Sequence, residues 1–265
     1  MNVLVVIPVA WRTLLRHKTR AALTTLGIVI GVASVIAMVA IGSGARAMIE
    51  TQVASLGINQ LLIFPGTTSI GGVRGGTGSL ATFTENDARA ITTECPTVRD
   101  CSPVVMAQAR AVSGNQNWPT RVLGVYPCYL DIREWHAGAG HDFTDQDVQR
   151  GRKVCLLGQT VIDNLFPNGV NPLDATIRIG TVPFRVIGIL GPKGQTPWGQ
   201  DQDDQILAPF STVQRRILNI DFVQMLQCSA LTPDQVYQAQ DEITALLRQR
   251  HRIPSGGEDD FAIRN

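Results

Sequence analysis

No charged side chain occurs between Arg20 and Arg46, and 21 residues of that interval, Ala21 to Ile41 (AALTTLGIVIGVASVIAMVAI), form one nearly unbroken apolar run. As an α-helix rising 1.5 Å per residue, the run reaches about 31 Å, which matches a hydrocarbon core of roughly 30 Å. The run therefore predicts a transmembrane helix. Arg12, Arg16, His17, Lys18 and Arg20 stand directly before it, whereas Arg46 and Glu50 are the only charges for about 30 residues after it. The positive-inside rule keeps Met1 to Arg20 in the cytosol and sends the chain after Gly42 outside. The competing reading is a cleaved secretory signal, because Ala45-Arg46-Ala47 has the A-x-A form. The length of the apolar run, the 20-residue leader and the Arg inside the cleavage site weigh against it. The leader has apolar Val3 to Val9 and then Trp11, Leu14 and Leu15 among basic residues, a pattern suited to a helix lying in the interface, with a break at Pro8.

About 220 residues follow this segment, enough for one large or two small domains with their own core. Lys and Arg total 23 against 22 Asp and Glu, and aromatic residues make up 6% of the chain, so neither a basic face nor a stacking platform argues for nucleic acid. No G-x-x-x-x-G-K-[ST] loop occurs, and none of Lys18, Lys153 and Lys193 sits in a phosphate-binding context. ATP hydrolysis is not expected of this chain, nor is any cofactor.

Past the anchor, Ala45, Met48, Ile49, Gln52, Val53 and Leu56 continue a helical spacing as a stalk ending near Gly57, followed by a strand at Asn59 to Phe64. Gly66 to Ser79 holds six glycines in fourteen residues and reads as a mobile, exposed loop. Thr84 and Asp87 form a capping box for a helix to about Glu94. Val98–Val112 and Pro119–Tyr126 then read as a hairpin about Gly114-Asn115-Gln116-Asn117. Further on come a short helix opened by Phe143-Thr144-Asp145-Gln146-Asp147, a strand at Lys153–Leu157, and a helix at Thr160–Phe166. A second hairpin, Ala175–Gly180 with Val182–Leu190, precedes a strand at Ile206–Pro209 and a helix from Ser211 with a Ser-x-x-Gln capping box. Phe222–Ala230 reads as a strand. Thr232-Pro233-Asp234-Gln235 starts a helix carrying Val236, Ala239, Ile243, Leu246 and Leu247 on one face, and Phe261–Ile263 begins a last strand.

The fold class this implies is α+β: one N-terminal transmembrane helix, then a sheet and helix domain with an inserted small α/β subdomain. The expected division is a leader at 1–20, the membrane helix at 21–41 and a stalk at 42–57. A discontinuous sheet part follows at 58–126 and 221–265, around an insert at 127–220.

The segments Leu14-Leu15-Arg16-His17-Lys18-Thr19-Arg20, Leu23 to Ile36, Ile41-Gly42-Ser43-Gly44-Ala45 and Gly57-Ile58-Asn59-Gln60-Leu61 resemble the first transmembrane region of the MacB/FtsX-type ABC transporter permeases. Phe143-Thr144-Asp145-Gln146-Asp147, Pro192-Lys193-Gly194-Gln195 and Gly199-Gln200-Asp201-Gln202-Asp203-Asp204 extend the resemblance over essentially the whole chain. The resemblance implies a porter-like periplasmic core hung from the first of four transmembrane helices, in a homodimeric inner-membrane permease. That permease is driven by a separate or fused cytoplasmic ABC ATPase, whose hydrolysis moves the periplasmic domains mechanically. Partners implied are the ATPase, a second permease protomer, a periplasmic adaptor with its outer-membrane channel, and membrane lipid. The family exports macrolides, peptides or lipoproteins or acts on cell-wall regulators. Three further transmembrane helices would follow the core, so the chain is expected to be a fragment of the permease. A stand-alone membrane-tethered interaction or scaffold module is the alternative.

Individual residues carry narrower expectations. Gly27-x-x-x-Gly31 predicts a close-packing helix face toward the other protomer or a helix outside this chain. Five cysteines lie on the oxidising side, and Cys95 and Cys101 are the closest pair, suited to a disulfide unless both are buried small hydrophobes. Asp201, Asp203 and Asp204 lack the Gly and ligand spacing of a calcium loop and read as a solvated acidic loop. His136, His141, Cys128 and Cys155 keep no zinc spacing, and no nucleophile can be paired with a base, so no metal or catalytic residue is assigned.

Overall fold

The computed structural model describes residues 18–56, 59–66, 69–70, 73–74, 82–167, 169–196 and 199–265. The leader up to His17, Gly57 and most of the glycine-rich segment lie outside the described residues. So do the side chains of residues 45 and 47–56, which carry the stalk's apolar stripe. The chain falls into two units, 1–53 and 54–265.

Among the described residues the first unit consists of helix α1 (Lys18–Leu56), 39 residues long and unbroken through Gly42 and Gly44, whose last three residues belong to the second unit. Its stretch Lys18–Gly44 is long and apolar enough to cross a membrane, and none of it is buried against protein. Leu23, Ile28, Ile36 and Met38 all point outward. Its few hydroxyls are turned inward. Thr24, Thr25 and Ser34 donate to the carbonyls of Arg20, Ala21 and Ile30 at 2.8, 2.9 and 2.7 Å, and Ser43 donates to Ala40 at 3.0 Å. Each of these four hydroxyls thus satisfies itself within one turn, as a surface facing hydrocarbon requires.

In the second unit β1 (Gln60–Pro65) is followed by a two-residue ladder, β2 (Ser69–Ile70) with β3 (Val73–Arg74). Helix α2 (Glu85–Glu94) leads into β4 (Val98–Ser113) and β5 (Gln116–Val125). Then come α3 (Cys128–Ile132), β6 (Ala137–Gly140), α4 (Asp145–Gln149), β7 (Val154–Leu157) and α5 (Gln159–Leu165). β8 (Thr176–Ile179), β9 (Val182–Leu190) and β10 (Gln205–Pro209) precede α6 (Phe210–Thr212), which continues as a π-helical turn, Val213–Leu218. β11 (Met225–Ala230), a 3₁₀ turn (Pro233–Gln235), α7 (Val236–Arg250) and β12 (Phe261–Arg264) complete the described chain.

Ten strands share one hydrogen-bonded sheet, and β4 divides it into two kinds of sheet. The first half of β4 joins an open antiparallel sheet in the order β12-β1-β11-β4. Its second half pairs with β5 through Val105–Ser113, and β5 pairs with β10, β10 with β7, β7 with β9, β9 with β8, and β8 with β4 again at Ala111 and Val112. The six strands therefore close on themselves. Ile177 and Ile179 in β8, and Phe184 and Val186 in β9, alternate with more exposed neighbours and are fully buried, so they fill the inside of the ring. Along the open sheet, Cys101 to Val105 are all buried, which requires cover on both faces; α2 and α3 both pack on β4, and α7 lies against α2, β1 and β11. From Met106 onward β4 alternates, with Met106, Gln108 and Arg110 exposed.

Local signals explain three of the helix starts. Thr84 with Asp87, and Thr144 with Asp147, form reciprocal capping boxes at α2 and α4. Thr232 and Pro233 open the 3₁₀ turn before α7, whose Val236, Ala239, Ile243, Leu246 and Leu247 are all buried. The expected Ser211 box does not form. Ser211 donates to the Val148 carbonyl instead, and Gln214 donates to Phe222 O at 3.2 Å, because α6 opens into the wider π turn rather than a regular first turn.

Candidate functional site

The connection from β9 to β10 carries the longest motif pair of the sequence, Pro192–Gln195 and Gly199–Asp204, and it is folded back on itself. Asp203, only 6% exposed, is its centre. Its two carboxylate oxygens accept the backbone N–H groups of Lys193 at 2.8 Å and Gly194 at 2.9 Å, while its own N–H donates to Asp201 Oδ1 at 2.8 Å. The other Asp201 oxygen accepts Thr160 Oγ1 at 2.7 Å, and the Asp201 carbonyl accepts Arg121 at 2.8 Å. Asp204 accepts Trp118 Nε1 at 2.9 Å. Gly158 lies against the Asp203 and Gln205 carbonyls so closely that a Cβ there would run into Asp203 O. The three aspartates are therefore not the solvated acidic loop that the sequence suggested. They cap loop amides and dock the loop on β5 and α5, a role that depends on where the loop returns and not on its composition.

The outer side of this loop presents a small mixed surface. Lys193 Nζ donates to the Arg133 carbonyl at 2.5 Å and stands 5.8 Å from the Trp135 ring centroid. Trp135 Nε1 donates to Gly191 O at 2.5 Å, and Arg133 donates to Gln202 Oε1 at 2.9 Å. Burial, and next the Arg133 charge, hold the Lys193 ammonium below its usual range, with Glu134 and Asp203 opposing them. Lys193 is thus a half-buried cover over Trp135, which is 2% exposed. Sequence reading did not pick out Trp135; an isolated Trp near a lone Lys gives no signal until the loop places them together.

The cysteine expectation is corrected. The disulfide joins Cys101 to Cys228, 127 residues apart, while Cys95, Cys128 and Cys155 are free. Cys101 and Cys228 stand directly opposite in the β4–β11 ladder, whereas Cys95 caps the C-terminus of α2 and is buried before the turn into β4. Burial pushes the Cys95 thiol up to about 11 and the Cys128 thiol to about 12, with neighbouring carboxylates adding to it. Cys155 is raised by burial alone. None of the three is a ready nucleophile.

The two histidines with hydrogen-bonded side chains are held by carboxylates: His136 Nδ1 lies 2.9 Å from Asp142, and His251 Nδ1 lies 2.8 Å from Asp260. Among the described residues no group of three or more His, Cys, Asp and Glu side chains is set to hold a metal. Gly27 and Gly31 lie on the exposed surface of α1 with no atom within 4 Å of where a Cβ would stand, so both are open to a neighbouring helix.

Comparison with known proteins fits this geometry. The family described as the MacB-like periplasmic core domain matches residues 21–246. A macrolide export ATP-binding/permease protein MacB of Syntrophobacter fumaroxidans is 38% identical over 97% of this chain and 43% of its own length. A MacB of Azoarcus sp. is 38% identical over 97% of this chain and 37% of its own length. The chain thus spans about two fifths of the length of such relatives. Among solved structures, the periplasmic region of MacB from Actinobacillus actinomycetemcomitans shares the fold with a TM-score of 0.65 at 23% identity, covering 80% of this chain and 91% of that one. The extracellular domain of the ABC-type transporter YknZ from Gram-positive bacteria does so with a TM-score of 0.62 at 18% identity, covering 78% of this chain and all of that one.

Proposed function

Because the chain belongs to the MacB-like periplasmic core domain family, we propose that it is the membrane anchor and extracytoplasmic core of an ABC-type export permease. The observation that carries this is continuity: the family match begins at residue 21, inside the lipid-suited helix α1, and runs through both kinds of sheet. The reading also draws on relatives named as macrolide export ATP-binding/permease proteins, which match nearly all of this chain with about two fifths of their own length. In this reading the chain is the N-terminal part of a permease whose further membrane helices lie beyond it. Its N-terminus is cytosolic, its main domain is periplasmic, and it sits in the inner membrane. Substrate does not pass through the chain. A cytoplasmic ABC ATPase supplies the energy, and α1 transmits movement to the sheet domain.

Residues 58–126 with 221–265 form a porter-like part, 127–220 an inserted part, and β4 and β5 tie the two together. Gly27 and Gly31 form the face on which a second protomer or a further helix of the permease packs. A periplasmic adaptor is a further partner in this reading.

The test is a permease extended through the missing helices, reconstituted with its ATPase. ATP turnover is expected to rise on adding the extended chain and not on adding the 265-residue chain, and an export-dependent reporter after Asn265 is expected to be active. A cytosolic reporter signal overturns the topology. Turnover unaffected by the extended chain favours the tethered scaffold module.

A further inference from the structure

The outermost strand of the open sheet, β12, is four residues long and among the described residues pairs with β1 alone, yet its approach is fastened by several side chains. Just before it, the Asp260 carbonyl accepts Gly66 N–H at 2.7 Å, and a Cβ at Gly66 would lie 2.7 Å from the Asp260 carbonyl carbon, so only glycine allows this approach. The Asp260 side chain meets His251 Nδ1 at 2.8 and 2.9 Å. The other ring nitrogen, Nε2, is buried, has no hydrogen-bond partner, and faces Asp87 Oδ2 at 3.9 Å. Asp87 is in turn held by Arg250 Nε at 2.7 Å and by the Thr84 cap. The Phe83 and Phe261 ring centroids stand 5.9 and 6.3 Å from that of the imidazole. One ring therefore joins α2, the C-terminus of α7 and the entry to β12.

The charged groups facing this ring are Asp87 from α2 and Asp260 from the β12 approach, with Arg250 of α7 next to it and engaged by Asp87. A neutral imidazole donating from Nδ1 to Asp260 would aim the Nε2 lone pair at the Asp87 carboxylate. A charged one aims a proton at each carboxylate. We propose that His251, Asp260 and Asp87 form a proton-operated clasp that fastens β12 to the sheet, closed when the imidazole is charged and loosened when it is neutral.

The direction of the linkage agrees. Asp87 and Asp260 raise His251 above its ordinary 6.5, against the opposing effect of burial. The stabilisation is then complete below 6.5 and is lost as pH rises through the raised value. Burial opposes ionisation of Asp87, but His251, Arg250 and Thr84 outweigh it and hold the carboxyl far below its ordinary 3.8. Its contribution is present above that ordinary value and lost only in strong acid. The clasp is thus closed in mild acid and opens on the alkaline side. This inference does not depend on the permease reading.

Hydrogen exchange of the full chain in detergent micelles tests it, with labelling times scaled for intrinsic exchange. Protection of the peptide spanning β12 is expected to be several-fold lower near pH 8.5 than near pH 6, whereas β10 is expected not to change. In His251→Gln the β12 peptide is expected to exchange fast at both values. Equal protection of wild-type β12 at both values overturns the clasp, and so does a pH response that survives in His251→Gln. Should that variant fail to fold, NMR of the imidazole in Asp260→Asn decides. The His251 midpoint is expected above 6.5 in wild type and lower in the variant; a midpoint unmoved by the substitution rejects the proposal.

Discussion

The open sheet and the closed ring share β4 but are held together by different means. The ring has its strands paired all the way round, and its inside is filled by Phe184, Val186, Ile177 and Ile179, fully buried and without a covalent link. The open sheet ends at β12; the Cys101–Cys228 disulfide pins its inner pair, β4 with β11, and the His251 cluster and the Arg248–Asp259 pair beside the last turn pin the β12 end. The six strands of a closed ring are each paired on both sides and can rely on packing, while an end strand such as β12 has a ladder on one side alone and gains from fasteners.

Four changes would break or sharpen this contrast. The largest effect is expected from Phe184→Ala, which empties the ring's interior and costs about 3–5 kcal/mol. Urea unfolding is expected to show it, and exchange is expected to rise in β8 and β9 far more than in β1 and β11. An equal rise in both sheets would mean that they unfold as one unit and the contrast has no energetic meaning. Next is Cys228→Ser, which removes a link closing a long loop and costs about 2–4 kcal/mol. The loss should appear chiefly in β11 and β4, and alkylation of unreduced wild type under denaturing conditions should label Cys95, Cys128 and Cys155 while sparing Cys101 and Cys228. Labelling of Cys101 would remove the covalent pin from the comparison. Asp203→Asn exchanges one loop-capping oxygen for a donor facing N–H groups, with an expected cost of about 1–3 kcal/mol confined to the β9–β10 loop. Trypsin cleavage after Lys193 would report it, and unchanged cleavage would show that the loop is held by other contacts. Smallest is Met106→Arg, on the outward face where β4 passes from one sheet to the other, expected to stay within about 0.5 kcal/mol. A larger melting shift would indicate that this face is covered in the folded protein.

How far the sequence could be read follows the same line between local and returning contacts. Thr84–Asp87 and Thr144–Asp147 lie within one turn of each other, and the five apolar positions of α7 repeat at the helical period, so both were legible. The hairpin about Gly180-Thr181 was legible because its turn and its alternation agree. The disulfide was not, since Cys101 meets Cys228 only through a register set across 127 residues, and proximity in sequence favoured Cys95. β6 reads Ala-Gly-Ala-Gly, which has no strand propensity, and it exists because β9 offers it a ladder. Asp203 looked like surface charge because composition does not reveal that a loop folds back over it.

The length of β4 has a practical consequence. At about 3.3 Å per residue its 16 residues extend roughly 50 Å, and both sheets are built on it. Excising 127–220 to isolate one part would strip β10 from β5 and leave Arg121 to Val125, three of them apolar, as a bare template for pairing with other molecules. Such a piece is expected to precipitate rather than report on the part it was meant to isolate. Cargo or labels are better inserted at Gly114-Asn115, the two-residue tip between β4 and β5, where a longer connection leaves every ladder of both sheets intact.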